Sequence, residues 1–538
     1  TMGDEVATLD QDLADPVGWA ARVLLDDGGF ESPVWGNDAL ATPHITALAH
    51  NGTMFARAYT AVSSCSPSRA AILSGLPTHQ NGMYGLHQNP GNFQANADIT
   101  SLPNLLNAAG YKTGIVGKHH IGPLPNFNFT YGTSAEYCWA GALGNPLNFG
   151  DRAQSECHRP YNSVTRNLTN MKMHARRFLL LEPEKPFFLY VAWGDVHRCG
   201  YKSAVGSFCE FYGSGKNGQG IIPDWTPTFY DPKDVVVPPF LPDNDDVRED
   251  IAGQYTAWDR LDQGVGLIQA ELARAGALDD TLIIFFSDNG IPFPAAKTNL
   301  LEQGQHEPLI VSSPQTRAGP ERDRGRVSQF VVSALDLVPT ILDWAQVEYP
   351  SDARARGAPA RLTGASLLPL LHVDGGADTA AGAVGEDALD WRDTAFGSHQ
   401  FHSLYAYYPM RSMVTSQFRL IHNLNFNLRY PILEDVYDTK TWADIEAAGE
   451  AGNATGWIYD YQSYMFRPEW QLFDLSQDPL CLRNLAENKT LEKTLRGMQE
   501  SLRRWQVDTS DPWVGCNPAV PTGGSEAWAA THSEICSN

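Results

Sequence analysis

The sequence predicts an α/β fold: a large, mostly parallel central sheet flanked by helices, followed by a smaller unit with a short antiparallel sheet. Over the first two-thirds of the chain, short β-branched and aromatic runs such as FFLYVAW at 187–193 and LIIFF at 282–286 alternate with helical patterns. Such runs read as buried strands and fall far short of the roughly 20 apolar residues a membrane helix needs. The helical patterns end near glycines: SLPNLLNAAG at 101–110 precedes TGIVG at 113–117, and DRLDQGVGLIQAELARAG at 259–276 precedes TLIIFFSDNG at 281–290.

At 538 residues the chain exceeds what one core organises, so two domains are expected, 1–372 and 373–538. The boundary is set by VDGGADTAAGAVGED at 373–387, which is small, acidic and aperiodic and reads as a linker or exposed loop. Beyond it, SMVTSQFRLIHNL at 412–424 and WQLFDLSQDP at 470–479 suggest the antiparallel sheet, and LEKTLRGMQESLRRWQ at 491–506 a closing helix.

With 43% hydrophobic and 19% charged residues the chain is globular rather than disordered, and a net charge of -23 argues against a nucleic-acid partner. The first twenty residues are acidic and lack the basic start and apolar stretch of a secretory signal. Five N-x-S/T sequons, at Asn51, Asn128, Asn167, Asn453 and Asn488, nevertheless suggest a glycosylated secretory product. Six of the eight cysteines fall in plausible local pairs, Cys138 with Cys157, Cys199 with Cys209 and Cys516 with Cys536, which suits an oxidising compartment. Cys65 and Cys481 remain, and a leftover cysteine is ordinarily a small buried hydrophobe.

The neighbours of Cys65 argue otherwise. In SSCSPSRAAILSGLPTHQNGMYG at 63–85, Ser66 followed by Pro67 reads as a cap with proline in the first turn, and Gly75 followed by Pro77 closes the helix. Cys65 is thus expected at a helix N-terminus, where backbone N–H groups favour an ionised nucleophile or a bound oxyanion, with the Arg69 guanidinium one turn later. Three other stretches end a strand in polar residues: VLLDDGG at 23–29, IVGKHH at 115–120 and IIFFSDNG at 283–290. Adjacent carboxylates Asp26 and Asp27 repel unless a cation is shared between them, and Asp288 with Asn289 adds oxygen donors suited to a hard ion such as calcium.

The C-x-P-S-R element with its following helix resembles that of the sulfatase family, in which the cysteine is oxidised to formylglycine. There the hydrated aldehyde attacks sulfur with one hydroxyl, and the second expels sulfate. The resemblance implies an alkaline-phosphatase-like fold and a calcium ion held by Asp26, Asp27, Asp288 and Asn289, with Cys65 as formylglycine completing the shell. It also implies that Lys118 and His120, as a K-x-H element, orient the diol, His119 being a bystander, and that His197 meets sulfate and the leaving group. Arg69, Lys118 and Lys297 would offset charge developing on sulfate.

Within the family the chain is most similar to the heparan N-sulfatases, through GLPTHQNGMYGLHQ at 75–88, GKHHIGP at 117–123, HRCG at 197–200, IPDWTP at 222–227, SDNGIPFP at 287–294, YPMRS at 408–412, IHNLNF at 421–426 and SDPWVG at 510–515. That resemblance implies hydrolysis of the N-sulfate of non-reducing-end N-sulfoglucosamine in heparan sulfate. It further implies a lysosomal homodimer matured by the formylglycine-generating enzyme, with the C-terminal domain roofing the pocket. An O-sulfatase for another sulfated sugar or ester, or an inactive glycan-binding relative, shares the same core motifs. Four departures stand out: Lys297 in place of arginine, Gly194 and Val196 in place of histidine and proline, a strand before Asp26 that reads a residue short, and extra length over 131–160.

Overall fold

The computed structural model describes residues 19–88, 91–132, 161–200, 203–320, 324–371 and 393–514. The expected linker at 373–387 with the boundary it sets, the Cys138–Cys157 and Cys516–Cys536 pairs, and the added length beyond residue 132 lie outside the described residues. Cys199 and Cys209 form a disulfide, while Cys65 and Cys481 are buried free thiols.

Eight strands form the main sheet: β1 Trp19–Leu25, β2 Thr53–Tyr59, β3 Lys112–Gly117, β4 Tyr131–Gly132, β5 Phe187–Ala192, β6 Thr281–Ser287, β7 Leu309–Ser312 and β8 Arg326–Ser333. Their order is β4-β3-β5-β1-β6-β7-β2-β8, with β7 antiparallel to both neighbours and every other pairing parallel. β1 runs for seven residues, paired along its length with β6, so no shortening displaces Asp26 or Asp27 from the sheet edge.

Both faces of the central strands are covered, which is why they read as continuous apolar runs. Val23, Leu189, Val191, Ile283 and Phe285 pack in one core with residues of the helices Leu168–Leu180 and Asp245–Arg274. Their alternating neighbours Leu24, Phe188, Tyr190, Ile284 and Phe286 pack in a second core with the helices Cys65–Ser74, Leu102–Ala108 and Leu337–Trp344. The Asp245–Arg274 helix starts well before the predicted residue 259, because the Asn244 side chain caps it by accepting from the Val247 N–H. No helix among the described residues is long and apolar enough to cross a membrane.

After a two-stranded hairpin, β9 Arg354–Ala355 and β10 Ala358–Pro359, an antiparallel sheet follows in the order β11-β12-β13-β14. Its strands are β11 Thr394–Phe401, β12 Tyr407–Thr415, β13 Phe418–Asn423 and β14 Trp470–Asp474. Met413, Leu420 and Leu472 pack against Met498, Leu502 and Trp505 of the helix Glu492–Asp508. Met410, Ile421 and Phe473 instead join the first core of the main sheet.

Beyond the helix, the Asp511 carboxylate is gripped at both oxygens by Arg411 of β12, at 2.6 and 2.9 Å, and both side chains are buried. Burial alone would raise this carboxyl; Arg411 overrides it and holds the group well below the usual carboxylate range. Because the folded-state value is depressed, the stabilisation is complete above the ordinary aspartate range and disappears as pH falls through the folded value. Asp511→Ala, which strands a buried guanidinium, is expected to cost about 3–5 kcal/mol in denaturant unfolding at neutral pH, with a smaller deficit in acid. A loss under about 1 kcal/mol would mean the pair is held no better than a surface one.

Candidate active site

Strand register brings the polar ends together. Leu25 of β1 pairs with Ser287 of β6, so Asp26 and Asp27 leave the sheet beside Asp288 and Asn289. On the other side, Leu24 pairs with Ala192 of β5, and Ala192 with Gly117 of β3, so the Asp195–His197 turn and Lys118 leave from the same edge. Gly117 has φ +105°, and a Cβ there would strike the Ala192 carbonyl oxygen, so only glycine lets the chain turn off the edge at that point. The Cys65–Ser74 helix, entered from β2, brings Cys65 and Arg69 to the same place, and Gly75 at φ +70° ends it.

The helix begins two residues earlier than the sequence suggests. Ser64 is its N-cap and Cys65 its first residue, while Ser66 Oγ accepts the His87 N–H instead of capping. Nor does the helix terminus ionise Cys65. Burial pushes the thiol well above its ordinary value, Asp27 and Asp26 add to the rise, and Lys118 and Lys297 do not reverse it. The sulfur lies 3.8 Å from Asp27 Oδ1 and faces carboxylates rather than an empty anion site.

Asp26, Asp27, Asp288 and Asn289 are completely buried, as are Arg69 and Lys297, with Lys118 nearly so. Lys118 Nζ donates to both oxygens of Asp26, at 2.7 and 2.6 Å. Arg69 bridges Asp26, at 3.1 Å, and Asp288, at 2.9 Å from Nε. Lys297 Nζ donates to Asp27 Oδ2 at 2.8 Å. The expected repulsion between Asp26 and Asp27 is therefore relieved by three protein cations, and Asp27, at φ +59°, turns away along its own path. Burial would raise Asp26, but Lys118 leads the cations that hold it well below the usual carboxylate range. For Asp288 burial wins over Arg69, and the carboxyl is pushed up to about 6.

A hard cation fits these donors. Oxygens of Asp26 and Asp288 and the sulfur of Cys65 lie within 4.8 Å of one another, as do ligand atoms of Asp27, Cys65 and His197. Asn289 spends Nδ2 on Asp27 Oδ1 at 2.8 Å and on the Gly290 carbonyl at 3.0 Å, which leaves its Oδ1 buried with no hydrogen-bond partner. An orphaned amide oxygen among three carboxylates is the kind of group a calcium-sized ion satisfies.

His197 is held by its own loop. Nδ1 meets the Arg198 carbonyl at 2.7 Å, an acceptor only, so Nδ1 carries a proton and Nε2 is turned toward Asp27 Oδ2 at 3.7 Å and Asp435 Oδ2 at 3.4 Å. Asp195 anchors this loop through Arg166 and Arg260, and Arg166 also donates to the His197 carbonyl at 2.8 Å. At Gly194 a Cβ would lie 2.7 Å from Thr165 Oγ1, so Thr165 fills the wall where a larger side chain would otherwise stand. His120, at φ +58°, contacts Gln88 through Nε2, and burial holds its imidazole neutral well below the ordinary range. His119 is buried.

The sequence reading missed two residues. Asp435 accepts from Lys297 at 2.6 Å, and His402 hydrogen-bonds Ser64 Oγ at 2.9 Å through Nδ1. Asp435 is the second residue of the four-residue helix Glu434–Tyr437, where an acidic pair is read as helix N-terminal charge, so nothing local marks it.

The family profile described as Sulfatase matches residues 23–347. The chain is 46% identical over 500 residues to human N-sulphoglucosamine sulphohydrolase, covering 93% of this chain and 91% of the relative. It is 22% identical over 518 residues to an ulvan-active sulfatase of Formosa agariphila, covering 91% and 74%. Among solved structures, one in complex with D-glucosamine-2-N,6-O-disulfate superposes with a TM-score of 0.60 at 18% identity, covering 94% of this chain and all of that one, a likeness of fold.

Proposed function

The chain belongs to the sulfatase family, and on that premise we propose that it hydrolyses the N-sulfo group of non-reducing-end N-sulfoglucosamine in heparan sulfate. The observation that carries the substrate is the nearly full-length identity to human N-sulphoglucosamine sulphohydrolase. In this reading Cys65 works as formylglycine, and Asp26, Asp27, Asp288 and Asn289 hold calcium, with Cys65 completing the shell. When present, calcium supplies Lewis-acid polarisation of a sulfo oxygen, and the oxidised Cys65 side chain supplies the attacking hydroxyl. Burial and the nearby Asp27 and Asp26 carboxylates push the Cys65 thiol up, which makes the unmodified side chain a poor nucleophile and supports this.

The remaining roles fall to the side chains in place. Arg69, Lys118 and Lys297 offset charge that builds on the sulfo oxygens. Lys118 and His120 orient the nucleophile. His197 Nε2 delivers a proton to the departing nitrogen, its ring aligned by the Nδ1 contact to Arg198. The reading places the enzyme in the lysosome, as a homodimer matured by the formylglycine-generating enzyme. The Cys199–Cys209 disulfide supports passage through an oxidising compartment.

The test offers a terminal N-sulfoglucosamine saccharide, its 6-O-sulfated counterpart and an aryl sulfate to the enzyme. N-sulfate release is expected to dominate between the two sugars. Release of O-sulfate alone would replace this reading with an O-sulfatase. His197→Ala is expected to lower kcat/KM on the N-sulfated sugar by about 10²–10⁴-fold, and on the aryl sulfate by less than about tenfold, because a phenolate leaves without a proton. Equal losses would remove His197 as the leaving-group acid.

A further inference from the structure

Resting on that reading, we propose that Asp435 makes the site selective for an amine leaving group: its carboxylate stands where the departing nitrogen gains positive charge. The geometry is specific. Asp435 comes from the C-terminal part of the chain, yet its Oδ2 lies 2.6 Å from Lys297 Nζ and 3.4 Å from His197 Nε2, two of the groups that surround Cys65. Lys297 is completely buried, whereas the Asp435 side chain is 22% exposed, so the carboxylate forms part of the surface an incoming ligand meets. Its Oδ2 takes both contacts, and Oδ1 has no hydrogen bond among the described residues.

Arg69, Lys118 and Lys297, the cations assigned above to the sulfo group, are already paired with Asp288, Asp26 and Asp27. A carboxylate added beside two of the polar groups must therefore serve something other than sulfate, which it repels.

The chemistry identifies that partner. As the S–N bond breaks, its electron pair remains on nitrogen, sulfur's new bond is to the incoming oxygen, and nitrogen takes the proton that His197 Nε2 delivers. Nitrogen takes that proton while its bond to sulfur is still partly intact, so it carries positive charge in the transition state before it leaves as a neutral amine, and a facing carboxylate stabilises that charge. A sulfate ester departs with negative charge on oxygen, which the same carboxylate opposes. Asp435 thus favours one leaving group and penalises the other, as specificity by attraction and repulsion requires.

The experiment is Asp435→Asn in the full-length, matured enzyme, a change that keeps an oxygen for Lys297 and removes only the charge. The readout is the ratio of kcat/KM for a terminal N-sulfoglucosamine saccharide to that for an aryl sulfate whose leaving group departs as an anion. The ratio is expected to fall at least 30-fold, with the loss on the saccharide carried mainly by kcat. An unchanged ratio, with both substrates losing alike, overturns the inference and makes Asp435 a prop for Lys297. Asp435→Glu, which keeps the charge, is expected to recover part of the ratio, and a ratio as low as that of the amide overturns the charge argument. A wild-type enzyme that ignores the N-sulfated saccharide while cleaving the aryl sulfate overturns the function proposed above, and this inference with it. That result is separate from one in which the wild type is active and the variant keeps its ratio.

Discussion

Cys65→Ser is expected to reduce turnover on the order of 10⁶-fold, the scale on which an enzyme loses its nucleophile, while leaving the fold intact. Serine is only slightly smaller than cysteine, and the Sγ hydrogen bond to Asp27 at 3.8 Å is long, so the core has little to lose. What disappears is the route to an aldehyde. A serine hydroxyl supplies one oxygen, with no hydrate to expel sulfate from a covalent intermediate. Parallel thermal unfolding and peptide mass analysis across residue 65 separate loss of chemistry from loss of structure. A folded serine variant with undiminished turnover, or wild-type protein that is active with an intact thiol, would remove Cys65 as the nucleophile.

Stripping divalent metal is expected to be nearly as severe, and calcium alone is expected to restore activity. The buried Asn289 Oδ1 and the carboxylates of Asp26, Asp27 and Asp288 supply oxygen donors of the kind such an ion needs. Calcium binding should also appear without any turnover. An ion that binds only the folded chain adds about 2.7 kcal/mol of stability when present at one hundred times its dissociation constant, raising Tm. Asp27→Asn, which removes one of the oxygens' charges, is expected to weaken that Tm shift as well as activity. Full activity in a rigorously metal-free sample, or a Tm that ignores calcium in the wild type, would rule the ion out.

The parts of the site legible in the sequence are those in which chemistry sits within a few residues of a recognisable strand or helix signal. DD after VLL, KHH after IVG and SDN after IIFF each follow a strand, and CSPSR opens a helix closed by Gly75. Parallel neighbours in one sheet deliver their ends to one edge, so naming the strands was enough to place Asp26, Asp27, Lys118, His197, Asp288 and Asn289 near one another. The antiparallel sheet and its closing helix were legible for the same reason, a local period in the apolar residues.

What the sequence by itself determined, then, is the α/β class, the strand ends that carry the polar groups, and the family to which CSPSR belongs. Only the tertiary structure decided the burial of Cys65 beside Asp27, the balancing of three carboxylates by three cations, and the arrival of Asp435 beside Lys297, 138 residues away in the chain. The physical reason is common to all three. Burial and charge apposition depend on which distant segments share a low-dielectric space, and a pattern of neighbouring residues carries no record of that.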